Sequence, residues 1–167
     1  NVLLTYNDSL IKFGEWFRQL WSESLGKNGL GSTPVHSIGT TDQHSQLQLY
    51  IDGPKDKFFT FIKNIHSTNG LLMDYATLKD CGMDYIAGKK MGDLMEAEQN
   101  ATLQTLINNK LPVREIQIDK ITPRTLGGLM MYYFLETISA GLILNIDPFN
   151  QPAVEESKKL TKNFLSI

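Results

Sequence analysis

Gln19 and Glu23 stand four residues apart in the stretch FRQLWSESLGK, just ahead of Gly26. On a helix that spacing puts an amide and a carboxylate on one face. Both point away from the apolar stripe of Phe13 and Leu20 and lie beside Trp16. A glutamate in a last turn also faces the negative end of the helix dipole. Departures of that kind from local preference concentrate at functional sites. A glutamate is ionised at neutral pH and can accept a proton. The competing reading is a solvated face on which Lys27, four residues after Glu23, forms an ordinary surface pair. On spacing alone that is the commoner arrangement.

Two later segments carry further candidates. GTTDQHSQ places His44 just inside a helix that opens at Thr41 or Asp42. The positive helix end there favours neutral imidazole, the form suited to proton exchange near pH 7. Taken alone, a partly exposed histidine among capping residues is the commoner state. His36, on the PVHSIG strand, and His66, in a loop, read as satisfied structural residues. No histidine pair has metal-ligand spacing, so no metal is expected. GLGSTP lacks both the Walker pattern and the dinucleotide fingerprint. PFNQPAVEESKK opens a last helix, with Asn150 or Gln151 near its cap, Pro152 at the first position, and Glu155 and Glu156 in the first turn. Gln151 and Lys158 are seven apart on one face. A lysine there can stabilise negative charge on a ligand, although such spacing more often means a solvated lysine.

The elements that must position these residues alternate between strand and helix. Val2–Tyr6 reads as a buried strand. Asp8 or Ser9 caps a helix with apolar positions Leu10, Phe13, Phe17, Leu20 and Trp21, and Gly26 stops it. PVHSIG is a second strand, and a helix runs from Asp42 towards Tyr50 and Ile51, ending at the turn signal DGP. KFFTFIKNI is a continuous apolar run, as in a strand covered on both faces. His66 to Ala87 reads as loop or short helix. Met91, Leu94, Met95, Thr102, Leu106 and Ile107 mark a long helix. VREIQID is a strand with Ile116 and Ile118 opposite Glu115 and Gln117. Thr122 and Pro123 open a further helix through about Ala140. This alternation predicts an α/β fold with a mostly parallel sheet flanked by helices.

Composition narrows the class. A chain of 167 residues with 41% apolar and 20% charged residues is the size and make-up of one globular domain. A net charge of -2 gives no basic surface for nucleic acid. Cys81 is the only cysteine, which excludes a disulfide framework and suits a reducing compartment. LGGLMMYYFLETISAGLILNI is interrupted by Glu136, Thr137 and Ser139, so we expect a buried helix rather than a membrane span. No signal peptide is visible in NVLLTYNDSL. The chain begins with Asn1, so we expect a piece of a longer protein.

Together, GEWFRQLWSESLGK, GTTDQHSQLQLY and GLILNIDPFNQPAVEESKK resemble three motifs of the phosphoglucose isomerase family, in the family's order, in its C-terminal part. The likeness covers the chain from end to end. It implies a single sugar isomerase (SIS) domain over residues 1–167, a three-layer sandwich with a parallel sheet. It also implies the interconversion of glucose 6-phosphate and fructose 6-phosphate in the cytoplasm, in glycolysis and gluconeogenesis, without a cofactor. Carried over residue by residue, Glu23 is the base that moves a proton between C2 and C1 through a cis-enediol. His44 assists ring opening, Lys158 lies on the ring-oxygen side, and Gln19 and Gln151 contact substrate. The implied partners are a sugar phosphate, the N-terminal part of the same protein and a second copy in a homodimer, with no nucleic acid or membrane. In the family the phosphate-binding serine/threonine loop and a stabilising arginine lie earlier in the chain, and the histidine comes from the partner subunit. The family signature has glycine where this sequence has Ala153. Two other readings compete: a non-catalytic SIS module that binds a sugar phosphate and regulates a partner, and a pure interaction domain.

Overall fold

The computed structural model describes residues 1–65, 69–78 and 81–166; His66 lies outside them. Strand β1 (Val2–Thr5) leads through a 3-10 turn at Asp8–Leu10 into α1 (Ile11–Leu25). The cap of that turn is Asn7, one residue ahead of the expected Asp8 or Ser9: its Oδ1 accepts the Ser9 backbone N–H at 3.0 Å. Gly26 closes α1, as its sequence position suggested. Next come β2 (Val35–Ile38), α2 (Thr41–Ser45) and α3 (Leu47–Asp52). The single helix expected over this region is broken at Gln46, which has a φ of -120°. The Gln46 side chain is drawn to the core instead, accepting from the Tyr50 hydroxyl at 2.6 Å. Ser37 Oγ then donates to the same hydroxyl at 2.6 Å.

The remaining elements are β3 (Phe59–Asn64), α4 (Tyr75–Leu78), a 3-10 turn at Asp84–Ile86, α5 (Met91–Asn108), β4 (Val113–Ile118), α6 (Pro123–Leu144), and a 3-10 turn at Pro152–Val154 that runs into α7 (Glu155–Leu165). All four strands are parallel, in the order β2-β1-β3-β4. Helices cover both faces. On one, α1 and α6 bury Phe13, Phe17, Trp21, Leu129 and Tyr133 against Leu3 and Ile62. On the other, α3 and α5 bury Tyr50, Leu103 and Leu106 against Val2, Leu4, Phe59 and Phe61. The α/β class and the parallel sheet are therefore as the alternation of elements predicted.

Two helices differ from expectation in which residues they bury. In α5, Leu103 and Gln99 face inward, while Met91 and Ile107 are half exposed. Gln99 is tolerated there because its Nε2 donates to the Ile62 carbonyl at 3.4 Å. Helix α6 buries only the stripe Leu129, Tyr133, Thr137 and Gly141, so the expected fully buried helix is not formed. Met131, Leu135, Leu142 and Ile143 face outward because none of the described residues packs over them. By length and composition α6 could cross a membrane. Its inner stripe instead meets α1, with the Tyr133 ring 5.0 Å from Phe17 and 5.7 Å from Phe13. Beside that contact Arg114 of β4 pairs with Glu136 at 2.9 Å and donates to Thr60 Oγ1 and the Tyr132 hydroxyl, both at 3.0 Å.

At Gly14 the α1 backbone lies close against His36 of β2. A β-carbon there would fall within the imidazole of His36, whose Nε2 is 2.9 Å from Thr5 Oγ1. Gly→Ala inside a helix ordinarily stabilises by about 1 kcal/mol. Here the expected sign is reversed: Gly14→Ala should destabilise by about 1–3 kcal/mol in denaturant melts. Adding His36→Ala should remove most of that penalty.

His36 also makes stability depend on pH. Burial, and then the nearby Arg18 charge, lower its pKa; Asp42 and Glu15 act in the opposite sense without reversing it. The folded state therefore binds the proton less readily than the unfolded chain. This contribution is fully present above the unfolded value of about 6.5 and is lost as pH falls through the lowered folded value. Denaturant midpoints measured across that acidic window should rise with pH, and His36→Gln should flatten the rise.

Candidate functional site

Burying Phe13, Phe17, Trp21 and Leu25 fixes the rotation of α1 and leaves Gln19 and Glu23 on its outer face. Gln19 Nε2 donates to Glu23 Oε1 at 3.1 Å. The second carboxylate oxygen, Oε2, accepts from Gln151 Nε2 at 3.4 Å, across 128 positions of sequence. One carboxylate is thus held by two amides, one per oxygen. Lys27 does not form the ordinary surface pair with Glu23. Its ammonium donates to the carbonyls of Ser24 at 2.8 Å and Asp147 at 2.5 Å.

That contact explains how Gln151 arrives. Helix α6 ends at Asn145 in the left-handed conformation, with φ 55°. Asp147 then builds a tight turn, accepting from the Phe149 backbone N–H at 2.9 Å and from Asn150 Nδ2 at 2.8 Å. Lys27 clamps this turn to the end of α1, so that residue 151 falls beside residue 23. The space between them is a cleft of about 600 Å³ lined by Ser22, Glu23, Gly26, Gln151, Pro152 and Ala153. The Ala153 methyl therefore forms part of the cleft wall. A second cleft, of about 520 Å³, adjoins Glu23 on its other side and contains Arg18 and Gln19. Arg18, exposed and next to Gln19, was not singled out from sequence.

Lys158 and His44 are not brought to Glu23. Lys158 pairs with Glu155 at 2.7 Å on an exposed face of α7. The shared face expected for Gln151 and Lys158 is not formed either, because a 3-10 turn separates Gln151 from α7. His44 occupies the last turn of α2 rather than the start of a longer helix, so the positive-end argument does not apply to it. Two of its neighbours, Asp42 and Gln43, are engaged inward. Asp42 Oδ2 accepts the Ile38 N–H at 2.6 Å, and Gln43 Oε1 accepts from Tyr6 at 2.8 Å and Thr102 at 3.1 Å. Burial pushes the Tyr6 phenol up to about 12, so it stays a donor through the neutral range. His44 itself is exposed, on the short helix α2 that follows the carboxyl end of β2. Helix α1 runs back from the carboxyl end of β1 for about 20 Å, which carries Glu23 to the opposite edge of the sheet. Among the described residues no group of three or more histidine, cysteine or acidic side chains could hold a metal.

A sequence profile of the phosphoglucose isomerase family matches residues 1–166. The chain belongs to the phosphoglucose isomerase family. A probable glucose-6-phosphate isomerase of Methanococcus maripaludis is 39% identical over 166 residues, covering 99% of this chain and 37% of its own length. The glucose-6-phosphate isomerase of Campylobacter jejuni is 39% identical over 171 residues, covering 99% and 42%. The crystal structure of a hypothetical protein from Thermus thermophilus superposes with a TM-score of 0.90 at 30% identity, over 99% of this chain and 41% of that one. A glucose-6-phosphate isomerase from Chlamydia trachomatis shares the fold, with a TM-score of 0.78 at 21% identity over 99% and 34%. The chain therefore spans about two-fifths of the length of the family members it matches.

If the Lys27 clamp delivers Gln151, Lys27→Met should free the turn without loosening the sheet. Hydrogen exchange should speed up across residues 147–151, while the amides of β1 and β3 keep their protection.

Proposed function

We propose that the chain is the C-terminal part of a glucose-6-phosphate isomerase and that Glu23 is its proton-transferring base. The observation that supports this best is the convergence of Gln19 and Gln151 on the two oxygens of Glu23, beside a cleft of sugar-phosphate size. The two amides fix the carboxylate plane and leave its remaining lone pairs for a substrate proton. In the reaction, Glu23 takes the proton from C2 of the open-chain aldose, and the electron pair left at C2 forms the C1–C2 double bond of a cis-enediol. The C1 carbonyl pair moves to O1, which takes up a proton. Returning the first proton to C1, as the O2 hydroxyl gives up its own and C2 becomes the carbonyl, gives the ketose. A positioned acid–base group contributes about 10²–10⁴-fold. Holding the substrate and stabilising the enediolate charge supply more.

His44 serves ring opening in this reading, and it does so in the partner subunit of a homodimer. Support comes from topology, since Glu23 and His44 sit at opposite edges of one sheet. Lys158 assists at the ring oxygen once substrate draws it from Glu155; an exposed pair of that kind is weak enough to be displaced. The rest of the polypeptide supplies the phosphate loop and covers the outward faces of α6 and α7. The protein works in the cytoplasm, as a glycolytic and gluconeogenic enzyme built around an SIS domain, with no cofactor.

Glu23→Gln in the whole polypeptide should abolish turnover while sugar-phosphate binding persists. Unchanged turnover would refute the assignment. Mixing Glu23→Gln subunits with His44→Ala subunits, each inactive alone, should restore on the order of a quarter of normal activity, because one site of each mixed dimer is intact. No recovery after subunit exchange would place both residues in one subunit's site. The 167-residue chain by itself should show no measurable turnover in a coupled isomerase assay.

A further inference from the structure

His44 is exposed, and the helix that carries it, α2, has only five residues. A helix of little more than one turn does not hold its own shape in water. Contacts to the core must therefore fix where the imidazole stands. Gln43, the residue beside it, makes such a contact. Its Oε1 accepts from the Tyr6 hydroxyl at 2.8 Å and from Thr102 Oγ1 at 3.1 Å. Two donors fill both lone pairs of the amide oxygen.

Tyr6 follows β1 and Thr102 lies in α5, so two elements remote from α2 in sequence converge on one atom. Both donors are buried, Tyr6 being 1% and Thr102 4% exposed. The Tyr6 ring stacks on Phe61 of β3, with centroids 6.3 Å apart. The same ring lies against the backbone that leads into α2, where a β-carbon on Gly39 would overlap it. Tyr6 thus supports the approach to His44 with its ring and the residue before His44 with its hydroxyl. Apolar side chains would fill this space as well. Three polar groups that meet on one oxygen accept a much narrower geometry, and so specify a position.

Position matters at a proton-transferring residue, where a misplacement of about 1 Å can cost about 10²-fold in rate. We propose that Tyr6 and Thr102 are positioning residues for His44, acting through Gln43 to aim its imidazole into the site of the partner subunit. This rests on the reading of His44 as the group that serves ring opening there. Being buried, neither Tyr6 nor Thr102 touches substrate.

The test uses the whole polypeptide. Tyr6→Phe keeps the stacked ring and removes only the hydroxyl; Thr102→Val replaces a hydroxyl with a methyl group. Each should lower kcat for glucose 6-phosphate by about tenfold, while Thr102→Ser, which keeps the donor, should stay within about twofold of the parent. Mixed dimers separate position from stability. When Glu23→Gln subunits exchange with His44→Ala subunits, the one intact site takes His44 from the first and Glu23 from the second. Tyr6→Phe added to the Glu23→Gln subunit should cut the recovered activity by about tenfold. The same change in the His44→Ala subunit should leave the recovery unaltered. Tyr6 there has no imidazole to aim, and it follows the carboxyl end of β1, across the sheet from Glu23. Equal loss in both placements, or no loss in either, would overturn the positioning role. No recovery in the parent mixture would sink the two-subunit reading beneath it, and the proposal with it.

Discussion

The burial of one face of α1 is the constraint from which the rest of the site follows. Phe13, Phe17, Trp21 and Leu25 occupy positions that only one rotation of the helix can bury together against the sheet and α6. With 3.6 residues per turn, that rotation leaves no freedom for Gln19 and Glu23, which must face outward and towards the same side. The rotation is itself pinned at Gly14, where the helix backbone lies against the ring of His36 with no room for a side chain. A carboxylate on a helix surface would ordinarily sample many rotamers. Here one amide from its own helix and one from a distant turn restrict it.

That distant turn shows how a parallel α/β layer assembles a site from remote parts of the chain. Helix α6 packs beside α1, so the place where α6 stops decides what can reach the end of α1. The left-handed Asn145, the Asp147 turn and the Lys27 clamp together place Gln151 over Glu23. The same topology separates Glu23 from His44, since α1 returns to the amino edge of the sheet while α2 follows the carboxyl end of β2. In this structure one copy of the chain keeps the two apart. Much of α6 and all of the described part of α7 remain open to solvent, including Leu142, Ile143, Phe164 and Leu165. Apolar surface of that extent belongs against other polypeptide, consistent with a chain that spans about two-fifths of its relatives' length.

The sequence by itself determined the local features: the four strands, the stop of α1 at Gly26, the Thr122 and Pro123 opening of α6, and the likeness to a family carried by three motifs. These depend on short-range periodicity and on caps whose signals lie within a few residues. Gln19, Glu23 and Gln151 were legible as candidates for the same reason. Only the tertiary structure decided which candidates meet. Glu23 is bonded to Gln151 and not to Lys27, because Lys27 is drawn to the Asp147 carbonyl, a partner that no helical spacing predicts. The break at Gln46 arises from Tyr50 and Ser37, and the inward turn of Gln99 from the Ile62 carbonyl, so local propensity could reveal neither. Helix α6 looked wholly buried because its composition is apolar all round, but burial depends on what is packed against each face. That is set by chain topology and by partners, and hydropathy along one segment records neither.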